Sequence, residues 1–428
     1  MNNTTQGLFQ FIAQSPTGYH AVAAAERALK ASGHQRLLEG ETWTLEPGKS
    51  YYVTRDQSSL IAFRMPETLE GFMVAAAHTD SPCFRVKEQG EIRLEGYTKL
   101  DVDKYGGMIF SAWLDRPLSL AGRLLVATET GIETRLVHLD RDLLVIPSLA
   151  IHMDRSVNEG KKFSAQTDLL PLLGKGEADF LELAAEEAGM KKADILSHDL
   201  YLFCRTPGTE LGAQGELILC PRLDDLQCVY GLLEGYLHTK EPKGTPVLCL
   251  FDSEEVGSQT RQGAMSTFLK DTLRRICLSA GLEEQEYLRV LSHSMLASAD
   301  NAHGVHPNHP EKAALTSRPK LGEGVVIKFG SGYATSGTSA ALLRQILKGM
   351  PLQTYFNHGD IPGGRTLGQL ALTQVPLNTV DIGLAQLAMH SACETAGTAD
   401  TAYLIEAMER FFAARIRETA PGTFQVEN

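Results

Sequence analysis

The stretch FMVAAA (72–77), followed at once by His78-Thr79-Asp80-Ser81-Pro82, decides how the chain is read. Six apolar residues in a row after Gly71 read as a strand buried on both faces, with His78 and Asp80 at its carboxyl end. Two further runs behave alike. PVLCLF (246–251) ends in Asp252-Ser253-Glu254-Glu255, and VVIKF (325–329) ends in Gly330-Ser331-Gly332. Between them lie helical patterns. One starts after the hydroxyl-rich Ser15-Pro16-Thr17, runs through Ala31 and is closed by Gly33. Another, Leu223 to Leu237, carries apolar Leu226, Val229, Leu233 and Leu237 with Asp224 at its entrance. Asp400 is placed to cap the last long helix, whose stripe includes Tyr403, Leu404, Met408 and Phe411. Doubly buried strands with helices between them predict an α/β fold: a mixed, mostly parallel sheet flanked by helices.

From about Gly90 to about Thr209 the pattern changes to short alternating strands. Gly122 to Thr128 and Ile132 to Leu139 flank Glu129-Thr130-Gly131, a hairpin signal, and Leu143 to Ile151 reads as a further strand. Glu177 to Lys192 reads as an amphipathic helix. The expected organisation is therefore a discontinuous catalytic α/β domain, 1–90 and 210–428, carrying an inserted β-rich domain, 91–209. Beyond Pro421 the chain is expected to fray.

Composition narrows the function. Among 428 residues, 40 Lys plus Arg face 52 Asp plus Glu, a formal charge of −12. That balance speaks against nucleic acid or an anionic membrane as the partner. The opening MNNTTQGLFQFIAQSP has no basic segment followed by an apolar run, and nothing approaches the roughly 20 apolar residues of a membrane span. Seven scattered cysteines without a Cys-x-x-Cys pair predict buried, reduced thiols and a cytoplasmic location. The chain lacks G-x-S-x-G, H-E-x-x-H and G-x-x-x-x-G-K-[ST], so serine-hydrolase and P-loop readings lose weight.

What remains is a set of His and acidic residues at the ends of apolar runs, where an open α/β sheet presents ligands. They are His78 and Asp80, Asp224-Asp225, Glu254-Glu255, Asp300 with His303, and His390. Two imidazoles and three carboxylates would hold a pair of metal ions, one carboxylate bridging, with a further carboxylate left as a base. Each residue also has an ordinary explanation. A lone histidine is more often structural, an acidic pair is more often a solvated loop, Asp224 could simply cap its helix and Asp80 could turn the chain before Pro82. His303, His306 and His309, spaced by three, suggest a metal cluster but need not share a face in a proline-rich loop.

Taken in order, AAHTDSPCFRVK, PRLDDLQC, FDSEEVGS, SADNAHGVHPNHPEK and DIGLAQLAMHS resemble the aspartyl aminopeptidase and vacuolar aminopeptidase I family of cocatalytic zinc exopeptidases. Matching segments run from SPTGYHAV (15–22) to the last helix. The resemblance implies two Zn2+ per subunit, replaceable by Mn2+ or Co2+. His78 and Asp300 would hold one ion, Asp224 would bridge, and Glu255 and His390 would complete the other. Glu254 would be the general base, with Asp80 orienting the His78 imidazole. It also implies a cis peptide bond between Asp224 and Asp225.

His152, in LAIHMDRSVNE, matches a position near a neighbouring subunit's site, described in parts of the family as a zinc ligand. His303, His306 and Lys328 match positions lining the site. The implied activity is release of the first residue from peptides with a free amino terminus, with acidic first residues preferred and Lys328 as the candidate cation. The implied assembly is a homododecamer built from dimers joined through the inserted domain. A neutral-residue aminopeptidase, a related two-zinc deacylase or carboxypeptidase, and a non-catalytic assembly protein with a retired site are the competing readings.

Overall fold

A computed structural model describes residues 3–428. Its central feature is a nine-stranded mixed sheet whose strands run in the order Gln35–Leu37, Ser50–Arg55, Ser59–Arg64, Thr245–Phe251, Phe72–His78, Met295–Ala299, Asn378–Gly383, Val325–Phe329 and Leu352–Phe356. The strand Phe72–His78 lies parallel to both of its neighbours. Met73, Ala75 and Ala77 face a core shared with the helices Gly18–Ala31, Leu223–His238 and Asp400–Ala413. Phe72, Val74 and Ala76 face a second core built with the helices Phe268–Ser279 and Glu284–Ser292. Two apolar cores explain why the run has no polar alternation.

The three parallel strands Thr245–Phe251, Phe72–His78 and Met295–Ala299 end side by side. Their carboxyl ends therefore deliver Glu254-Glu255, His78 and Asp300 to one edge of the sheet.

A second sheet of six strands draws on Cys83–Leu94, Tyr97–Tyr105, Leu118–Thr128, Gly131–His138, Leu172–Lys175 and Ile195–Cys204, and surrounds its own apolar core. The predicted hairpin is present, with Thr128 opposite Gly131 across Glu129-Thr130. A smaller five-stranded sheet includes Leu217–Cys220, Ala385–Leu387 and Glu394–Gly397.

Four local expectations need correction. Leu143 to Ile151 is not a strand; only isolated bridges form at Leu144, Val145 and Ile146. The helix expected over Glu177–Lys192 is confined to Phe180–Glu187, capped by the Asp179 side chain on the Glu182 N–H and followed by Gly189 at φ +68°. Asp400 does not cap its own helix. Its carboxylate instead accepts the Gly322 and Gly324 amides, stapling the helix start to the segment before Val325–Phe329. The chain beyond Pro421 does not fray: Arg415–Ala420 pairs with Thr423–Glu427 through a turn in which Gly422 takes φ +73°. Thr17 stands at the N-cap position of the helix Gly18–Ala31 without a side-chain cap bond, its hydroxyl pairing with His20 Nδ1 at 2.9 Å.

Candidate metal centre

His78 is fully buried at the end of its strand. Its Nδ1 lies 3.0 Å from the Asp80 carbonyl oxygen, which leaves Nε2 facing Asp224 Oδ1 at 3.4 Å. The other Asp224 oxygen lies 3.3 Å from Nε2 of His390, and Glu255 Oε1 lies 3.4 Å from that same nitrogen. One carboxylate thus addresses two imidazoles with a different oxygen each, the arrangement of a bridging ligand. Ligating atoms of His78, Asp224, Asp225 and Asp300 fall within 4.8 Å of one another, as do those of His78, Glu254 and Glu255, and those of Asp224, Glu255 and His390.

The backbone is bent to achieve this. Arg222, Ser253 and His390 take left-handed φ of 56°, 65° and 66°, and the Asp224–Asp225 peptide is cis. Left-handed side-chain-bearing residues are concentrated at functional sites, where surrounding contacts over-determine them.

Asp80 has a wider role than orienting the imidazole. Its carboxylate is 3.5 Å from His78 Nδ1, farther than its own carbonyl, and instead accepts the Glu254 and Glu255 amides, both at 3.1 Å. Tyr105 donates its hydroxyl to the same carboxylate at 2.8 Å. Two further carboxylates support the site, and of these Glu394 escaped the reading of the sequence. Asp225 accepts the His78 amide at 3.1 Å. Glu394, almost fully buried, accepts the amides of Asp224 at 2.9 Å and of His390 at 2.7 Å. An acidic residue four positions after His390 was the only available signal.

The electrostatics call for cations. Burial pushes Glu254 up to about 8, reinforced by Asp300, Asp80 and Asp224. Burial and then Asp224 raise Glu255 well above the carboxylate range. Burial alone would lower His78, but Asp225, Asp224 and Asp80 overrule it and raise it. Asp224 Oδ1, Asp225 Oδ1 and Glu255 Oε1 are buried without a hydrogen-bond partner. Buried anionic oxygens without donors are costly, and His nitrogen with carboxylate oxygen is a donor set suited to zinc. The residues fit bound divalent metal.

Not every expected residue converges here. Lys328 is buried; its ammonium donates to the carbonyls of Asp300 at 2.6 Å and Asn301 at 3.2 Å and lies 3.6 Å from Asp300 Oδ1. His303 and His306 line a groove of about 290 Å3 together with His309, Lys312 and His358. His152 is exposed in the segment between the strands Gly131–His138 and Leu172–Lys175 and joins none of the clusters of ligating atoms. All seven cysteines are free, six of them buried. Among the described residues no helix is long and apolar enough to cross a membrane.

Comparison with known proteins agrees with this geometry. The model of the aminopeptidase I zinc metalloprotease (M18) family matches residues 11–412. A probable M18 family aminopeptidase 2 of Clostridium novyi is 38% identical over 421 residues, covering 95% of this chain and 97% of the relative. Its counterpart in Pseudomonas fluorescens is 40% identical over 424 residues, covering 96% and 98%. Among solved structures, a chain of the Ape4 and Nbr1 complex superposes with a TM-score of 0.92 at 34% identity, covering 96% of this chain and 85% of that one. The S. cerevisiae mApe1 dodecamer gives 0.84 at 27%, covering 96% of each. A chain matched over nearly its whole length by this family, with His and carboxylate groups converging at its sheet edge, is a metallo-aminopeptidase and belongs to the M18 aminopeptidase I family of zinc metalloproteases.

Proposed function

We propose that the chain binds two Zn2+ ions, with Mn2+ or Co2+ as possible substitutes, and removes the first residue from peptides with a free amino terminus. His78 and Asp300 would hold one ion, Asp224 would be shared, and Glu255 and His390 would hold the other. The observation that carries this is the position of Asp224 between two imidazoles. Bound zinc would polarise a carbonyl oxygen and acidify water. The chain does the rest. Glu254 would take the proton of the attacking water and deliver it to the nitrogen released as the peptide bond breaks. No hydrogen bond within the described residues engages its carboxylate, which leaves it free for proton transfer, whereas Glu255 turns a buried oxygen toward His390. Asp80 keeps both glutamates in place through their amides.

In this reading the preferred first residue is acidic. The groove lined by His303, His306, His309, His358 and Lys312 has no Asp or Glu among its lining residues in a chain of net charge −12, and imidazole and ammonium donors suit a carboxylate. Lys328 would act through Asp300, since its donors already serve that residue and its neighbour. That engagement of Lys328 is also what favours the alternative, an aminopeptidase accepting neutral residues.

Residues 91–209 would form an oligomerisation domain within a homododecamer built from dimers, with exposed His152 reaching a neighbouring subunit's site. Seven unpaired cysteines support a reducing, cytoplasmic setting. Zinc analysis combined with a panel of aminoacyl anilides, free and N-acetylated, tests the reading. Two zinc ions and cleavage only of free amines support it; cleavage of the acetylated series at equal rates overturns it.

A further inference from the structure

The six-stranded sheet reaches the Glu255 and His390 side of the metal centre through the short segment Tyr105-Gly106-Gly107-Met108-Ile109, at the end of the strand Tyr97–Tyr105. Every contact it makes there falls on a residue assigned above or on its support. Tyr105 donates to Asp80 Oδ2, the carboxylate that also receives the Glu255 amide. Gly106, at φ +75°, packs against Glu255 so closely that a Cβ there would lie 3.1 Å from Glu255 Cβ and 3.3 Å from its Oε2. Gly107 lies on the Nδ1 side of the His390 imidazole, where a Cβ would stand 3.9 Å from that nitrogen, and the Ile109 amide donates to the His390 carbonyl at 3.0 Å. His390 is itself in a left-handed conformation at φ +66° and needs external contacts to hold it.

We propose that residues 105–109 are a positioning element of the metal centre, holding Glu255 and His390 in ligating geometry, so that the six-stranded sheet is a working half of the site. The proposal rests on the two-metal reading. The glycines follow from it. Gly106 is required by both its positive φ and the approach of Glu255, and the Ile109 amide on the His390 carbonyl holds the backbone from which the imidazole turns Nε2 toward Asp224.

The test uses the full-length chain and two variants, Tyr105→Phe and Gly106→Ala, with zinc affinity measured by chelator competition and kcat and KM measured separately. Gly106→Ala is expected to weaken one of the two zinc sites about 10- to 100-fold while the other keeps its affinity. Tyr105→Phe, which removes a single oxygen, is expected to lower kcat about tenfold with KM little changed. If the wild-type chain takes up no zinc, the metal reading fails and the inference falls with it. If the wild type takes up two ions and folded Tyr105→Phe matches it in zinc affinity and kcat, the inference alone is overturned.

Discussion

The backbone N–H of Asp224 is donated to the Oε2 of Glu394, 2.9 Å away and 170 residues further along the chain. The second oxygen of Glu394 receives the amide of His390 at 2.7 Å. A single buried carboxylate therefore sets the distance between the residue that addresses both imidazoles and one of those imidazoles. Glu394→Gln keeps one acceptor but turns an NH2 group toward the other amide. Zinc titration of this variant should show about 10- to 100-fold weaker binding with the fold retained, the scale expected when a ligand's support is lost. Unchanged affinity would make Glu394 a packing residue only.

Glu254→Gln should retain both metal ions while turnover falls about 100- to 10,000-fold, the usual contribution of a positioned general base. Metal analysis beside the activity assay separates the roles. Loss of an ion in this variant would make Glu254 a ligand.

Much of this site could be read from the sequence because its residues terminate continuous apolar runs. Burial on both sheet faces gives Phe72–His78 and Thr245–Phe251 an unbroken hydrophobic signature, and the polar residues that follow them lie at the sheet edge. Glu394 and Tyr105 carry no such signature, and for Asp225 the sequence marks the residue but not its bond to the His78 amide. Each acts through a backbone amide or another carboxylate distant in sequence, and no local pattern encodes that partner. The same holds for Asp400, whose capping position was legible but whose carboxylate is taken by Gly322 and Gly324. At the other end of the scale, Pro421-Gly422 looked like a terminus and proved to be a hairpin turn, because the pairing that orders it comes from Arg415–Ala420 on its other side.

Metal-free protein should lose stability as pH rises. Burial holds the Glu254 and Glu394 carboxyls at about 8, so the folded chain keeps protons there that the unfolded chain releases near 4.5. The unfolded state then binds fewer protons between these values, and stability falls as pH climbs from about 4.5 through 8. Thermal melts of chelator-treated protein should show a lower Tm at pH 8.5 than at pH 6, with zinc restoring more stability at the higher pH. A Tm independent of pH over that range would contradict the burial of these groups.

Lys328→Met leaves the buried Asp300 without its cation. Metal-free stability should fall by about 3–5 kcal/mol, the cost of breaking a buried ion pair, and turnover of Asp- and Leu-starting substrates should fall by similar factors. His303→Gln with His306→Gln should instead reduce Asp- and Glu-starting substrates selectively. A wild-type preference for leucine would remove the acidic assignment, and a selective loss in Lys328→Met would return that residue to the substrate pocket.

The central claim is a two-ion centre bridged by Asp224, and equilibrium dialysis of wild type and Asp224→Asn against buffered zinc tests it most directly. The geometry of Asp224 between His78 and His390 predicts two ions per wild-type chain and weakened binding of both in the variant. One ion per wild-type chain, or two ions held at unchanged affinity by Asp224→Asn, would contradict it.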